Sequence, residues 1–210
     1  MKTTAKILLG TAVAAGALMS VPAQADEGPF EIRVRAVYLD FAQKSDAIPS
    51  LSVPSDAITV NKKWIPDLDL EYFFTPSWSS ELVLTYPQSQ TVSVAGTDIG
   101  TFKHLPPTLT VKYNFLPDQD FRPYVGVGVN LTFISNVNLA VPGVGALDLD
   151  STSVGVAGQV GFDYKIANHW FVNVDAKWVQ LGSDVKFDGT KISTVHLDPW
   201  LLGVGVGYRF

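Results

Sequence analysis

The chain has 210 residues, no cysteine, and 15 basic against 20 acidic side chains, for a net charge of −5. Without cysteine there is neither a disulfide framework nor a thiol site. The acidic balance disfavours nucleic acid, whose binding surfaces are basic, and the length allows one domain.

Lys2 and Lys6 precede an apolar run from Ile7 to Met19, and Ala23-Gln24-Ala25 follows as a small-x-small cleavage site. Residues 1–25 therefore read as a secretory signal whose apolar part is too short to cross a bilayer as a helix. Its removal takes away two lysines and no acids, leaving a charge of −7. No later stretch approaches the roughly 20 apolar residues of a spanning helix. Export without disulfides fits a bacterial outer membrane.

From residue 26 onward the pattern is eight strands. In the first, Phe30, Ile32, Val34, Ala36 and Tyr38 alternate with Glu31, Arg33 and Arg35, the period of two that marks a half-buried strand. A polar, proline-containing loop runs from about residue 41 to 63. Strand two sets Leu68, Leu70, Tyr72 and Phe74 against Asp67, Asp69, Glu71 and Phe73. After the short turn at Thr75-Pro76-Ser77-Trp78, strand three sets Ser80, Leu82, Leu84 and Tyr86 against Glu81, Val83 and Thr85.

A long loop to about Lys103 leads to strand four, where Leu109, Val111, Tyr113 and Phe115 oppose Thr108, Thr110, Lys112 and Asn114. Beyond a turn at Pro117–Asp120, strand five spans Pro123 to Ser135, and a Gly-, Pro- and Asp-rich loop covers 136–150. Strand six runs from Val154 to Tyr164. A tight turn at Ala167-Asn168 opens strand seven, where Trp170, Val172, Val174, Ala176 and Trp178 oppose Phe171, Asn173, Asp175 and Lys177. After one more loop, strand eight sets Trp200, Leu202, Val204, Val206, Tyr208 and Phe210 against Leu201, Gly203, Gly205, Gly207 and Arg209. Short and long connections alternate, as in an antiparallel transmembrane β-barrel with short periplasmic turns and long extracellular loops.

The same alternation would also suit a soluble barrel of reversed polarity. Aromatic placement decides against it. Trp78, Phe115, Tyr124, Trp170, Tyr208 and Phe210 lie near short-turn ends, and Tyr38, Trp64, Tyr86, Phe133, Trp178 and Trp200 near long-loop ends. These form two belts for two membrane interfaces, and Tyr208 and Phe210 read as the assembly signal of the final strand. A Lys or Arg facing lipid at the midplane costs about 2–4 kcal/mol, against the roughly 5–15 kcal/mol that holds a domain together. Arg33, Arg35, Asp69, Glu71, Lys112, Asp175 and Lys177 must therefore face inward. Eight strands enclose room only for side chains or one small ligand, so these charges are expected to pair across the lumen.

Other motifs have bland explanations. The runs Gly126-Val127-Gly128 and Gly203–Gly207 precede no helix, which a phosphate-cradling loop requires; small inward residues in a narrow lumen account for them. Asn130-Leu131-Thr132 matches a glycosylation sequon but lies inside a strand. His104, His169 and His196 are scattered without metal-ligand spacing, so no metal and no cofactor is expected. A catalytic set of Ser193, His196 and Asp198 would serve a lipid-modifying barrel enzyme, but Ser193 and His196 point to opposite faces of one strand. Rim histidines bonded to loop backbone are the simpler expectation.

The segments Phe102–Leu109, Phe121–Phe133, Ala157–Tyr164 and Leu197–Phe210 resemble the OmpW family. The resemblance implies an eight-stranded outer-membrane barrel for passive uptake of small hydrophobic molecules, which leave sideways through the wall into the membrane. AlkL-type relatives take up alkanes, and some members behave as small channels or serve as bacteriocin receptors. The partners implied are outer-membrane lipid and lipopolysaccharide, small hydrophobic solutes and the barrel-assembly machinery, with bacteriocins for some members. Where the family has an apolar gate in the lumen, the matching positions here are Val83 and Lys177, and Lys177 would more naturally pair with Asp175, Glu71 or Asp69. Phe73, Val83 and Phe171 remain the inward apolar candidates for a ligand path. Apolar residues around Leu51–Val60, Val92–Ile99 and Leu139–Leu149 are placed to wall a mouth above them. The rival reading is a sealed barrel acting as a surface receptor or envelope-stress component.

Overall fold

A computed structural model describes residues 27–49, 53–141, 143 and 145–210; the expected signal segment and Leu51 lie outside them. The strands in chain order are β1 (Phe30–Asp40), β2 (Lys44–Ser45), β3 (Ile58–Val60), β4 (Lys63–Phe73), β5 (Trp78–Leu84), β6 (Gln88–Val94), β7 (Thr97–Leu105) and β8 (Thr108–Asn114). There follow β9 (Phe121–Val141), β10 (Gly145–Leu149), β11 (Thr152–Ala167), β12 (Trp170–Val179), β13 (Gly182–Phe187), β14 (Thr190–His196) and β15 (Trp200–Arg209).

Eight of these close a ring in the order β1, β4, β5, β8, β9, β11, β12 and β15, every neighbour antiparallel. The last strand returns to the first through pairs such as Ile32 with Tyr208 and Val34 with Val206. Closure is what hydrocarbon demands. A strand edge in lipid would leave amide and carbonyl groups with no partner, at several kcal/mol each.

Side chains sort as the alternation requires. Val127 is 71% exposed and Val154 73% exposed on the outer wall, whereas Arg33, Asp69, Glu81 and Lys112 inside expose nothing. Lipid therefore meets the set that ends at Phe210. The periplasmic rim carries a chain of edge-on rings, Trp170 on Tyr208 at 5.1 Å and Tyr208 on Phe210 at 5.1 Å, with Trp78 on Tyr113 at 5.0 Å further round. Tyr38 and Trp64, 5.4 Å apart, belong to the outer belt. Tyr124 is the exception among the expected belt residues. Strand parity turns it into the lumen, where it is buried and its hydroxyl donates to Asp175 at 2.9 Å. Gly161 makes room for it, since a Cβ there would stand 2.5 Å from the Tyr124 oxygen.

The long connections are strands too, and here the structure corrects the loop reading of 41–63, 88–102, 136–150 and 179–199. Hairpins β6–β7, β9–β10 and β13–β14 rise above the ring and pair sideways, β3 with β6, β7 with β9, β10 with β13, and β14 with β2. They hide from a sequence scan because the surroundings change. Within lipid the outer face is apolar and the inner face polar. Above the membrane water bathes the outside, so Ser89, Thr91 and Ser93 alternate with buried Gln88, Gln90 and Val92. In β9 the phase itself slips at Asn136, a left-handed residue (φ 50°), beside a register shift against β7. Ile134 and Leu139 thus both face inward although an odd number of residues separates their parity.

The lipid-facing assignment makes a direct prediction. Val127→Arg should lower the unfolding free energy in bilayers by about 2–4 kcal/mol, and Val127→Leu should leave it nearly unchanged, as read by denaturant titration of the folded barrel in vesicles.

Candidate functional site

The lumen holds a lattice of ion pairs. Arg33 lies against Glu31 at 2.8 Å, Glu81 at 3.0 Å and Asp163 at 3.1 Å, and also contacts Glu71. Arg35 forks onto Asp67 and Asp69, both at 2.9 Å, and reaches Asp175 at 3.4 Å. Lys112 bridges Glu71 at 3.0 Å and Glu81 at 3.2 Å, and its ammonium sits 3.6 Å over the Tyr124 ring. Lys177 pairs with Glu81 at 2.8 Å. Asn173 ties the acids together by donating to Asp163 at 2.8 Å and to the Tyr124 hydroxyl at 3.0 Å.

Seven carboxylates thus meet four cations in a space from which solvent is excluded. Unpaired charges there would be prohibitively costly, so the lattice stands only because each guanidinium or ammonium is shared.

Below it, the periplasmic mouth is closed by a second device. Glu27, just ahead of β1, accepts hydrogen bonds from Arg122 and from Lys165 at 2.7 Å, with Arg209 at 3.5 Å. Arg209 lies 3.7 Å over the Phe73 ring and Arg122 4.9 Å over Phe171. Burial alone would raise the Glu27 pKa, but hydrogen bonds and charge from Arg122 and Lys165 overcome it and bring it down to about 2.

Above the lattice the interior turns apolar. Ile58, Val60, Val92, Phe102, Ile134, Leu139, Leu147, Val185 and Leu197 pack around a small cavity of about 40 Å³ within the extracellular strands, rimmed by partly buried Val53, Val94, Ile99, Val141 and Leu149. A lower compartment, a cavity of about 30 Å³, lies between Leu39, Ile65, Val83, Val179, Leu181 and Leu201, and its floor is Asp67, Lys177, Thr108 and Asn130, the top of the polar layer.

The backbone ladder beside that lower compartment is interrupted. The β5–β8 ladder stops at the pair Val83–Thr108, and β6–β7 pairing begins only at Gln88–His104. Residues 84–87 and 105–107 face one another with no ladder between them. Pro87, Pro106 and Pro107 have no amide proton to offer there. Thr85 and Pro106 border the compartment, and Tyr86 is exposed beside it at the outer belt.

The residues expected to carry a function divide by height. Arg33, Arg35, Asp69, Glu71, Lys112, Asp175 and Lys177 come together as the lattice, and Glu31, Asp67, Glu81 and Asp163 join them; the inward phase of strands one, two, three and six already carried that signal. Lys177 pairs with Glu81 rather than with Asp175, Glu71 or Asp69, because Glu81 faces it across the lumen. Val83 and Lys177 border the lower compartment. Phe73 and Phe171 do not join them. They sit at the turn ends of β4 and β12, beneath Arg209 and Arg122, so the lattice separates them from any outside path. Glu27 precedes the first strand, and no periodicity marks it. His196 is exposed while Ser193 is buried and donates to the Asp46 carbonyl at 3.0 Å, which disperses the Ser-His-acid set. His104 is not a rim residue on loop backbone. It is buried against Phe41 and Phe102 and bonded to Gln90.

A closed eight-stranded ring with an apolar exterior, two aromatic belts and charges confined to its axis defines a bacterial outer-membrane β-barrel. The match to the OmpW family model spans residues 26–210, and the chain belongs to that family. It is 39% identical over 210 residues to the uncharacterized outer-membrane protein y4mB of Sinorhizobium fredii, covering 94% of this chain and 90% of that one. It is 34% identical to outer membrane protein W of Vibrio cholerae, covering 97% and 98%. The crystal structure of OprG from Pseudomonas aeruginosa superposes with a TM-score of 0.75 at 28% identity, over 87% of this chain and 96% of that one.

Two outcomes follow from the charges. Arg33→Met leaves four carboxylates facing one another and should destabilise the barrel by about 3–5 kcal/mol, the loss typical of breaking a buried pair, measurable by denaturant titration in vesicles. Glu27, with its folded pKa below the ordinary 4.5, stabilises fully above about pH 4.5 and progressively less as pH falls toward 2. Glu27→Gln should therefore cost about 1.5–3 kcal/mol at pH 7, and the gap between variant and wild type should close on acidification through that window.

Proposed function

We propose that this barrel is a passive conduit by which small hydrophobic molecules pass from the outside into the outer membrane, leaving sideways rather than through the lumen. The observation that carries the reading is the vertical division of the interior. An apolar chamber sits on a solvent-free ion lattice, and the wall beside the lower compartment lacks a ladder at residues 84–87 and 105–107. A hydrophobic solute gains by leaving water for the chamber, at about 25 cal/mol per Å² of apolar surface. The lattice below would charge it the desolvation of ions, so the downhill direction is through the wall into lipid. No covalent chemistry and no cofactor enter this account.

The sealed lattice also supports a second reading, a closed barrel that serves as a surface receptor or envelope component, with lipopolysaccharide or a bacteriocin as partner. Uptake of n-octane by cells lacking other routes separates the two. Leu147→Asp places a carboxylate in the chamber and should reduce uptake about tenfold or more, since each 1.4 kcal/mol is a factor of ten. Phe73→Ala, at the far side of the lattice, should leave uptake unchanged. Uptake of neither n-octane nor 1-octanol faster with the protein than without it would favour the receptor; loss of uptake in Phe73→Ala would restore a straight-through route.

A further inference from the structure

Between the upper and lower compartments stands a pair of polar side chains that the conduit, as described, does not use. Gln90 and His104 face each other across the β6–β7 hairpin, Gln90 fully buried and His104 2% exposed, with Gln90 Nε2 3.1 Å from His104 Nε2. The surroundings are greasy. The rings of Phe102 and Phe41 lie 6.0 and 6.2 Å from the imidazole, centroid to centroid, and His104 itself borders the lower compartment beside Leu39, Ile65 and Val83. Gln90 Oε1 and His104 Nδ1 have no hydrogen-bond partner among the described residues.

Buried polar atoms are almost always paired, and leaving one unpaired costs about 1–3 kcal/mol. The other polar groups of the passage are satisfied. Asn130 donates to Thr108 at 2.8 Å, Thr108 donates to the Pro106 carbonyl at 3.2 Å, and Lys177 and Asp67 are held by the lattice. The Gln90–His104 pair is thus the place where a passing molecule can form hydrogen bonds without breaking any.

Its capacity can be counted. A neutral imidazole has one donor and one acceptor nitrogen, and an amide has one donor end and one acceptor end. If the Gln90 nitrogen donates to Nε2, then Nδ1–H and Oε1 stay free. If the amide is turned over, Nε2–H donates to Oε1, and the Nδ1 lone pair and the amide N–H stay free. Either way at least one donor and one acceptor remain.

We infer that the Gln90–His104 pair is a recognition site for a hydroxyl group, so that the solutes this conduit favours are neutral alcohols or phenols with an apolar tail, not bare hydrocarbons. This rests on the uptake reading above and narrows it. A hydroxyl donates and accepts at once and satisfies both free groups. A hydrocarbon leaves both unpaired, a carbonyl satisfies only the donor, and a carboxylate must bring its charge into an apolar neck. Sites built to hydrogen-bond a substrate hydroxyl reject the analogue that lacks it far more strongly than a greasy pocket rejects a missing methylene.

The test uses the full-length protein in lipid vesicles, with 1-octanol, n-octane and octanoate as probes. Octanol should cross into the membrane faster than octane relative to protein-free vesicles, by about tenfold for one well-made hydrogen bond's worth of preference. The imidazole nitrogen resonances of His104 should shift as octanol is added and stay put with octane. The double variant Gln90→Leu with His104→Phe, which removes both unpaired atoms and orphans neither partner, should bring the octanol-to-octane ratio down toward one. Equal acceleration of octanol and octane, or imidazole resonances unmoved by octanol because the pair holds a structural water only, would overturn the hydroxyl site while leaving the conduit standing. Acceleration of neither probe would instead remove the conduit on which it rests.

Discussion

Hydrocarbon can neither accept a hydrogen bond nor solvate a charge, and nearly everything in this molecule follows from that. The backbone must pair with itself all the way round, so β15 returns to β1 and the ring has no edge. Every ionised side chain within the membrane's thickness must turn to the axis. Once there, in a ring too narrow for bulk water, each must find a partner of opposite sign. The lattice around Arg33 and Glu81 is thus less a designed reinforcement than the resolution of a problem the bilayer sets. Replacing such a lattice by well-packed apolar residues would often be neutral or stabilising. Here the lattice fills the axis of the ring.

The same backbone meets a second solvent above the outer belt, and the polarity of its two faces exchanges. Within lipid Val125, Val127 and Val129 of β9 face out and Asn130 and Thr132 face in; past Phe133, Ile134 and Leu139 turn inward while Ser135 and Asn138 face water. The apolar chamber begins where this exchange occurs, because strands that need not hide from lipid are free to bury their aliphatic side chains against one another. A greasy compartment on a polar seal is therefore what a β-barrel becomes when its strands continue beyond the membrane.

Both layers meet at the level where the ladder is interrupted. Pro87, Pro106 and Pro107 interrupt the strands at the junction between the ring and the extracellular hairpins, where β5 hands over to β6 and β7 to β8. A proline elsewhere in the ring would forfeit a ladder bond in lipid. Pro66, which pairs with Ala36 on one side, has its carbonyl taken by the Thr85 hydroxyl at 2.9 Å on the other. The interruption, the neck with Gln90 and His104, and the top of the lattice all fall at this height, so axial closure and lateral weakness occur together.

The eight strands, their inward and outward faces and the family were legible from residues alone, because side-chain alternation is local and lipid enforces it along each strand of the membrane ring. The charged set of the lumen was legible for the same reason. Which acid meets which base was not. Lys177 with Glu81 and Arg33 with Asp163 are separated by long stretches of chain, and only the closing of the ring brings them across one lumen. The extracellular strands were hidden because the polarity code reverses where lipid ends, and Asn136 shifts the phase besides. Glu27, Gln90 and His104 were beyond reach as well, since what distinguishes them is having, or lacking, a partner in three dimensions. The sequence determined which side of the wall each residue occupies; height, partner and opening were decided by the barrel, because register and closure are properties of strands together and not of any strand alone.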